Sequence, residues 1–301
     1  MKHWVTASSL AISACLLAAC GGSGQVLQQP PSGSSAVGIQ HLYVSNRGNG
    51  TITKYDLQGH QIATSGSFPG LTINGSFKLA YDSTNGFLYV EALNTVKVYD
   101  LNGNAQTVSS AFPGLSSAEG IAFDPVNNQL YVADSNNGVK VFDLHGNAVA
   151  TTGTFPGTTN PVGIMFDSAD GLLYVGNDNG SVTVYDQNGN KQTTTGTFAN
   201  NTSCTDDLTF DSANQFIYVI AGCSGHIYAY DQQGNAQAIS GTFPGLTFPD
   251  AICYVPTNGF IYVSPADFKS TIIVYDQQGN VQTVSGTWPN LNDPHGIVGT
   301  P

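Results

Sequence analysis

Residues 173–190 read LYVGNDNGSVTVYDQNGN, and closely similar stretches occur at five other places in the chain. The six copies are spaced 42 to 46 residues apart and start at Leu42, Leu88, Leu130, Leu173, Ile217 and Ile261. Each copy has an apolar-Tyr-Val tripeptide, a short turn, and a second apolar run that ends in an aromatic residue, Asp and a nearby Gly. A period in the forties that consists only of strands is typical of β-propeller blades.

Each repeat can be divided into four strands separated by turns. In the third repeat we expect strands at 120–124, 130–134, 139–143 and 148–154, because these runs alternate apolar and polar residues or are rich in β-branched and aromatic ones. The turn before the fourth strand reads Asp-x-x-Gly in all six copies, which suits a carboxylate that accepts backbone N–H groups and a glycine with positive φ. An aromatic residue also recurs once per repeat, and this repetition favours a structural role in filling gaps between blades: Phe68, Phe112, Phe155, Phe198, Phe243 and Trp288.

The two ends of the repeat array complement each other. The first repeat lacks its first strand, and residues 295–299 form a first-strand sequence without a repeat of their own. We therefore expect an all-β fold over 39–301: a six-bladed β-propeller of four-stranded antiparallel blades, closed by the C-terminal strand joining the first blade. Such closure removes the exposed sheet edge.

The repeated sequences also resemble known proteins. LYVAD at 130–134, GIAFDP at 120–125 and the aromatic-Asp pairs resemble the NHL-repeat and related six-bladed propeller families, which include gluconolactonase-like enzymes. The resemblance extends over 39–301, although the Arg and Lys content usual in these families is absent. In gluconolactonase-like propellers carboxylates and Asn hold a divalent metal at the channel mouth, so the resemblance implies a site for Ca²⁺ or another divalent cation.

The N-terminus has the features of a targeting segment. Lys2 precedes a short apolar run that ends in Leu-Ala-Ala-Cys at 17–20, which resembles the lipobox of bacterial lipoproteins. The resemblance implies a signal peptide at 1–19, a lipid on Cys20, and a flexible Gly/Ser/Gln/Pro-rich tether at 20–38. It implies a lipid-anchored protein of the bacterial cell envelope, at the outer membrane or cell surface. An ordinary signal peptide cut near Ala19 is the alternative.

The composition limits the possible partners. Only 9% of the residues are charged, the net charge is −12, and the chain has a single arginine, Arg47. Nucleic-acid binding requires clustered Lys and Arg, so this class is excluded. The acidic chain is expected to stay monomeric and soluble beside a membrane.

Candidate site residues occur where the copies differ. In propellers of this kind the loops before the first strands share one face around the channel. The residue before each first strand is, in order, Phe77, Glu119, Val162, Asp206, Asp250 and His295. Glu119, Asp206, Asp250 and His295 could together ligate a cation, for which Ca²⁺ needs six or more oxygens. The alternative is that these acids cap strands and face water.

Three cysteines lie within the repeats. Cys204 and Cys223 fall in loops on the same face of the fifth blade, and an exported chain meets an oxidising compartment. We therefore predict a Cys204–Cys223 disulfide. Cys253 lies inside a first strand and is expected to be a buried free thiol, and a metal site formed by all three cysteines is the alternative.

Two main functions follow from these features. The first is a binding or interaction module for an envelope protein or a glycan, because the chain has no nucleophile elbow, phosphate-binding loop or metalloprotease helix. Its contact surface would be the loops at 74–78, 200–207, 248–250 and 265–269, with Phe248 and Phe268 as anchors. The second is a metal-dependent hydrolase or lactonase that uses the four candidate ligands to activate water. A structural envelope protein without a specific ligand is a third, weaker possibility.

Overall fold

The structure is a computed structural model of the chain and describes residues 38–72, 77–199, 204–265 and 270–301. The predicted signal peptide at 1–19, the lipid site Cys20, all but the last residue of the tether at 20–38, and Phe268 lie outside the described residues. Within the described ranges, no helix combines the length and the apolar character needed to cross a membrane.

The described residues form six antiparallel sheets, which we number in chain order. Every sheet begins with a strand that we call its inner strand, and consecutive strands lie next to each other. The strands are, for the first sheet, β19 (Pro294–Thr300), β1 (His41–Asn46), β2 (Thr51–Asp56) and β3 (Gln61–Ile62); for the second, β4 (Leu79–Asp82), β5 (Phe87–Ala92) and β6 (Thr95–Asp100); for the third, β7 (Ala118–Asp124), β8 (Gln129–Asp134) and β9 (Gly138–Asp143). For the fourth they are β10 (Pro161–Asp167), β11 (Leu172–Asn177) and β12 (Val182–Tyr185); for the fifth, β13 (Thr205–Asp211), β14 (Phe216–Ala221) and β15 (His226–Asp231); and for the sixth, β16 (Pro249–Val255), β17 (Phe260–Pro265) and β18 (Ile273–Tyr275).

The fourth strand of each predicted blade is much shorter than expected. Five of the described sheets have three strands, and only the first has a fourth, the two-residue β3. In the third sheet the fourth strand predicted at 148–154 is reduced to one bridge between Phe142 and Ala148. The physical reason is that the chain then leaves its own sheet: the N–H of Gly153 donates to the carbonyl of Asn188, in a turn of the fourth sheet, at 2.8 Å. The backbone groups of this segment therefore join neighbouring sheets instead of extending a ladder.

The last strand pairs with the first, as the two incomplete ends of the repeat array predict. β19 runs antiparallel to β1, with Val44 opposite Ile297 and His41 opposite Thr300. The six inner strands also pack against one another in the order β19, β4, β7, β10, β13, β16 and back to β19. They line a central cavity of about 220 Å³.

The recurring aromatic residues fill the spaces between adjacent sheets, as predicted. Phe155 is 4% exposed and has a φ of 50°. Its ring packs edge-on against Tyr131 of the third sheet and Tyr185 of the fourth, with centroids 6.4 and 5.2 Å away. The other five pack in the same way between the sheets on either side. Burial of these rings and their edge-to-face contacts stabilise each junction between sheets.

The Asp-x-x-Gly turns support the same junctions. In the fourth sheet, Oδ1 of Asp186 accepts hydrogen bonds from the N–H groups of Asn188 and Asn190, each at 2.9 Å. Gly189 has a φ of 82°, and a Cβ atom there would lie 2.7 Å from the ring of Phe155. Glycine is therefore required both for the turn and for the close approach of the aromatic ring.

Candidate functional site

The four site residues predicted from the sequence line a single pocket. Glu119, Asp206, Asp250 and His295 each lie near the N-terminal end of a different inner strand, and they face a cavity of about 410 Å³. We call this cavity the mouth pocket. Its wall is completed by residues from the strand connections and from the fourth inner strand: Arg47, Ser135, Asn160, Val162 and Asp178.

A buried lysine lies beneath the mouth pocket and joins three sheets. Lys78, just before β4, is only 5% exposed. Its Nζ donates a hydrogen bond to the main-chain oxygen of Asp250. The same Nζ lies 3.9 Å from Oδ2 of Asp250 and 3.7 Å from Oδ2 of Asp207. A buried ammonium group requires such partners, so the second, fifth and sixth sheets are connected through one charge.

His295 contacts the same buried aspartate from the first sheet. Its Nδ1 forms an ion-pair contact with Oδ2 of Asp250. Burial alone would raise the pKa of Asp250, but His295 and then Lys78 outweigh it and hold this pKa below its ordinary value. Burial acts to lower the pKa of Lys78, and the charges of Asp250 and Asp207 reverse this effect, so that the pKa lies above its ordinary value. The charged forms of Lys78 and Asp250 therefore stabilise each other.

The acidic residues of the third and fifth sheets have raised pKa values, in contrast to Asp250. Burial, followed by the charge of Asp250, raises the pKa of Asp206 to about 7. Burial raises the pKa of Glu119 as well. It also raises that of Asp207, although Lys78 opposes the shift. Perturbed carboxyl groups that gather at one cavity are a common feature of functional sites.

The position of Asp206 depends on a glycine and a disulfide. Cys204 and Cys223 are bonded, as predicted, with Cα atoms 5.6 Å apart. Cys223 belongs to a short 3-10 helix, Gly222–Ser224, that connects β14 and β15. A Cβ atom on Gly222 would lie 1.6 Å from Oδ2 of Asp206. The Asp206 carboxylate therefore occupies the space that the side chain of any other residue at position 222 would need. The disulfide therefore connects the start of β13, where Asp206 lies, to this helix.

Arg47 lines the mouth pocket from the first sheet. It follows β1 in the first sheet, and its Nε donates a hydrogen bond to Oδ2 of Asp293 at 2.7 Å. Asp293 is 6% exposed, so one edge of the guanidinium group is fixed by a buried carboxylate. Such a fixed planar group is suited to binding a carboxylate with its remaining N–H groups.

Sequence reasoning included Lys78 and Asp207 in the predicted contact loops at 74–78 and 200–207, but it did not single out these residues or Arg47 as site residues. Lys78 and Asp207 occupy the second position of the inner-strand repeat, which is Gly or Ala in the other four copies. Charged residues at an otherwise small position could have indicated them. Phe77, directly before Lys78, does not face the pocket. Its side chain is fully buried between the first and second sheets.

The other predicted site features have mixed outcomes. Among the described residues, no three His, Cys, Asp or Glu side chains are grouped so that they could hold a metal ion, and the metal ion stays a prediction. The alternative three-cysteine site is wrong, because two of its members form the disulfide. Cys253 is free, as predicted, but it is half-buried rather than buried, because it lines the central cavity.

One exposed aromatic residue, Phe248, lies two positions before Asp250 in the sequence. Phe248 directly precedes β16 and is 58% exposed, with a φ of 49°. A bulky residue in this backbone conformation is uncommon and costs free energy. Its exposure agrees with the predicted contact loop at 248–250, and its role as an anchor stays a prediction.

Comparison with known proteins identifies the fold. A chain in the crystal structure of a nidogen/laminin complex superposes with a TM-score of 0.67 at 18% sequence identity. The match covers 86% of this chain and 97% of that chain. Together with the six antiparallel sheets, it shows that this chain is a β-propeller. No protein-family model and no curated protein matches the sequence.

Proposed function

We propose, from the premise that the chain is a β-propeller, that it is a ligand-binding module of the bacterial cell envelope. In this proposal the six sheets are six blades, closed into a ring by β19 and β1, and a lipid on Cys20 holds the ring at the outer membrane or cell surface. The ligand is an envelope protein or a glycan, and it binds at the mouth pocket.

The observation that carries the proposal is the composition of the mouth pocket. The blades repeat one another in their turns, tyrosines and aromatic fillers, yet the pocket is built from residues that differ from one repeat to the next, such as Glu119, Asp206 and His295. Residues needed only for the fold would repeat. Its volume of about 410 Å³ lies within the range of small-molecule and side-chain binding sites.

The mouth pocket and the point where the tether would join the ring lie at opposite ends of β19. The tether would reach the ring at Gln40, whose N–H donates to the carbonyl of Thr300 at the end of β19. The mouth pocket lies at the start of the same strand, at His295. Six or seven residues of extended strand span roughly 20 Å. The attachment of the tether would therefore leave the pocket uncovered at the other end of the strand.

The test is capture of the ligand from native envelope. The full chain would be cross-linked in cells and purified, in parallel with Asp206→Asn and with Asp170→Asn as a control. Asp170 lies between β10 and β11, at the other end of the strands, where it accepts hydrogen bonds from Leu172 N–H and the Tyr174 hydroxyl. We expect one molecule to co-purify with the wild type and the control and to be lost from Asp206→Asn. Equal capture by all three proteins would refute a ligand site at the mouth pocket.

The anchoring has its own test. Wild type and Cys20→Ser would be expressed with a labelled fatty acid, and membranes would be separated from soluble material. We expect label and membrane association in the wild type only. A Cys20→Ser protein that still fractionated with membranes would contradict the lipid anchor.

A metal-dependent hydrolase or lactonase is the second candidate: the four predicted ligands line one pocket, although no three of them are grouped to hold an ion in the described structure. Metal analysis of the purified protein separates the two candidates. A stoichiometric divalent ion that is lost in Asp206→Ala and Asp250→Ala would favour the hydrolase. A metal-free protein whose melting temperature does not respond to calcium or zinc would remove it.

A further inference from the structure

The mouth pocket has walls of opposite charge. The first sheet contributes Arg47, and the third, fourth and fifth sheets contribute Glu119, Asp178 and Asp206. The packing order of the inner strands puts the fourth sheet three places from the first in either direction. The cationic and the acidic residues therefore face each other across the pocket.

The charges of Asp250 and His295 are compensated within the protein, and Arg47 is paired with Asp293 through its Nε alone. Asp250 is in contact with His295 and with the Lys78 ammonium group, which also faces Asp207. This network lies at the base of the pocket and links four sheets. A ligand would therefore be recognised by the charges of the two walls.

Both walls hold a charged group in a fixed place. Nε of Arg47 is bonded to the buried Asp293, which leaves the two Nη groups to meet a ligand. Asp206 is held between the glycine at 222 and the start of β13, next to the disulfide. Pre-positioned charges reduce the entropic cost of binding.

We propose that the mouth pocket binds a zwitterion with an ammonium group and a carboxylate, such as a free amino acid or a short peptide with free ends. The ligand carboxylate meets the guanidinium group of Arg47, and the ammonium group meets Asp206 with Asp178 and Glu119 around it. A pocket of about 410 Å³ admits a molecule of this size. The inference rests on the proposed function in that it takes the mouth pocket as the ligand site, but it assigns that pocket a small zwitterion in place of an envelope protein or a glycan.

A ligand with a single charge would satisfy only one wall. A simple cation would leave Arg47 facing the pocket without a new partner, and a simple anion would leave the three acidic side chains Glu119, Asp178 and Asp206 without a cationic partner. An uncharged sugar would displace water from the charged groups on both walls without offering them a charged partner in its place. The zwitterion is the class that complements both.

The proposal is tested by titration of the purified full chain with each free amino acid and with dialanine at millimolar concentration. The tightest ligand is compared with its N-acetylated form, which lacks the ammonium group, and with its amide, which lacks the carboxylate. We expect each modification to weaken binding by about 10- to 100-fold, the usual range for one lost hydrogen-bonded charge. These comparisons need no altered protein.

Two variants then test which residue binds each charged group of the ligand. Arg47→Gln should bind the free ligand and its amide equally, and Asp206→Asn should bind the free ligand and its N-acetylated form equally. Asp170→Asn should behave as the wild type. The proposal is overturned if no amino acid or dialanine binds, or if the modified ligands bind as tightly as the free one. Capture of an envelope molecule that depends on Asp206 would in that case leave the proposed function standing, and failure of both experiments would remove both.

Discussion

Replacement of Asp206 by Asn should stabilise the folded protein even though it removes a ligand-binding group. Burial and the nearby charge of Asp250 raise the pKa of Asp206 from 3.8 to about 7. The folded chain therefore holds this proton more tightly than the unfolded chain does. At a pH where the unfolded chain has lost the proton, folding must either retain it or bury a charge, and both cost free energy.

The size of the effect follows from the shift. One pKa unit corresponds to about 1.4 kcal/mol, so the penalty removed by Asn is at most about 4 kcal/mol. Because the folded pKa is the higher one, the stability that Asp206 contributes is fully present below about pH 4, falls as the pH rises, and is lost once the pH passes about 7. The advantage of Asp206→Asn should grow over that interval and then remain constant.

The assay is urea unfolding of wild type, Asp206→Asn and the control Asp170→Asn across this pH range. The difference between the first two proteins isolates Asp206 from the other titrating groups. A difference that does not change with pH, or a wild type that gains on the variant as the pH rises, would refute the reasoning. If Asp206→Asn is more stable than the wild type but no longer binds the ligand, it shows the trade-off between stability and function that is expected of a functional site.

Three further changes test other parts of the structure by the free energy of unfolding. Lys78→Met should cost about 3–5 kcal/mol, because it leaves Asp207 buried without its partner; a loss no larger than that caused by the same change at an exposed lysine would contradict the buried network. Phe155→Ala should cost about 3–5 kcal/mol by opening a cavity between two sheets, and a loss below about 1 kcal/mol would show that this aromatic residue does not hold them together. The double change of Cys204 and Cys223 to Ser should cost about 3 kcal/mol, as expected for a loop of this length. It should also weaken ligand binding, whereas unchanged affinity would mean that the disulfide does not position the pocket.

The strands were predictable because their pattern repeats. The LYV sequence at Leu173 falls in β11, as expected, and the turn at Asp186 has the predicted hydrogen bonds. The fourth strands were overpredicted. Their sequences alternate as strands do, but their N–H groups bond to the next sheet, as at Gly153. Sequence periodicity does not reveal which neighbour receives a hydrogen bond.

The site was predictable in part for the same reason. Comparison of equivalent positions singled out Asp206 and His295, and both line the mouth pocket. It did not identify Lys78, because a lysine in a strand is usually exposed, and its burial depends on aspartates supplied by two distant repeats. Pairings between residues more than a hundred positions apart depend on how distant sheets pack together, which no local pattern contains.

The pairing of β1 with β19 also constrains how the protein can form. Tyr43 and Val298 face each other across 255 residues of sequence, so the first sheet cannot be completed until β19 has been synthesised. Until then β1 presents an open hydrogen-bonding edge, and contacts this far apart in sequence are slow to find each other. A chain that lacks β19 would leave one edge of β1 exposed, where a strand of another molecule could pair with it. Chains without β19 should therefore be the truncated forms most prone to aggregate.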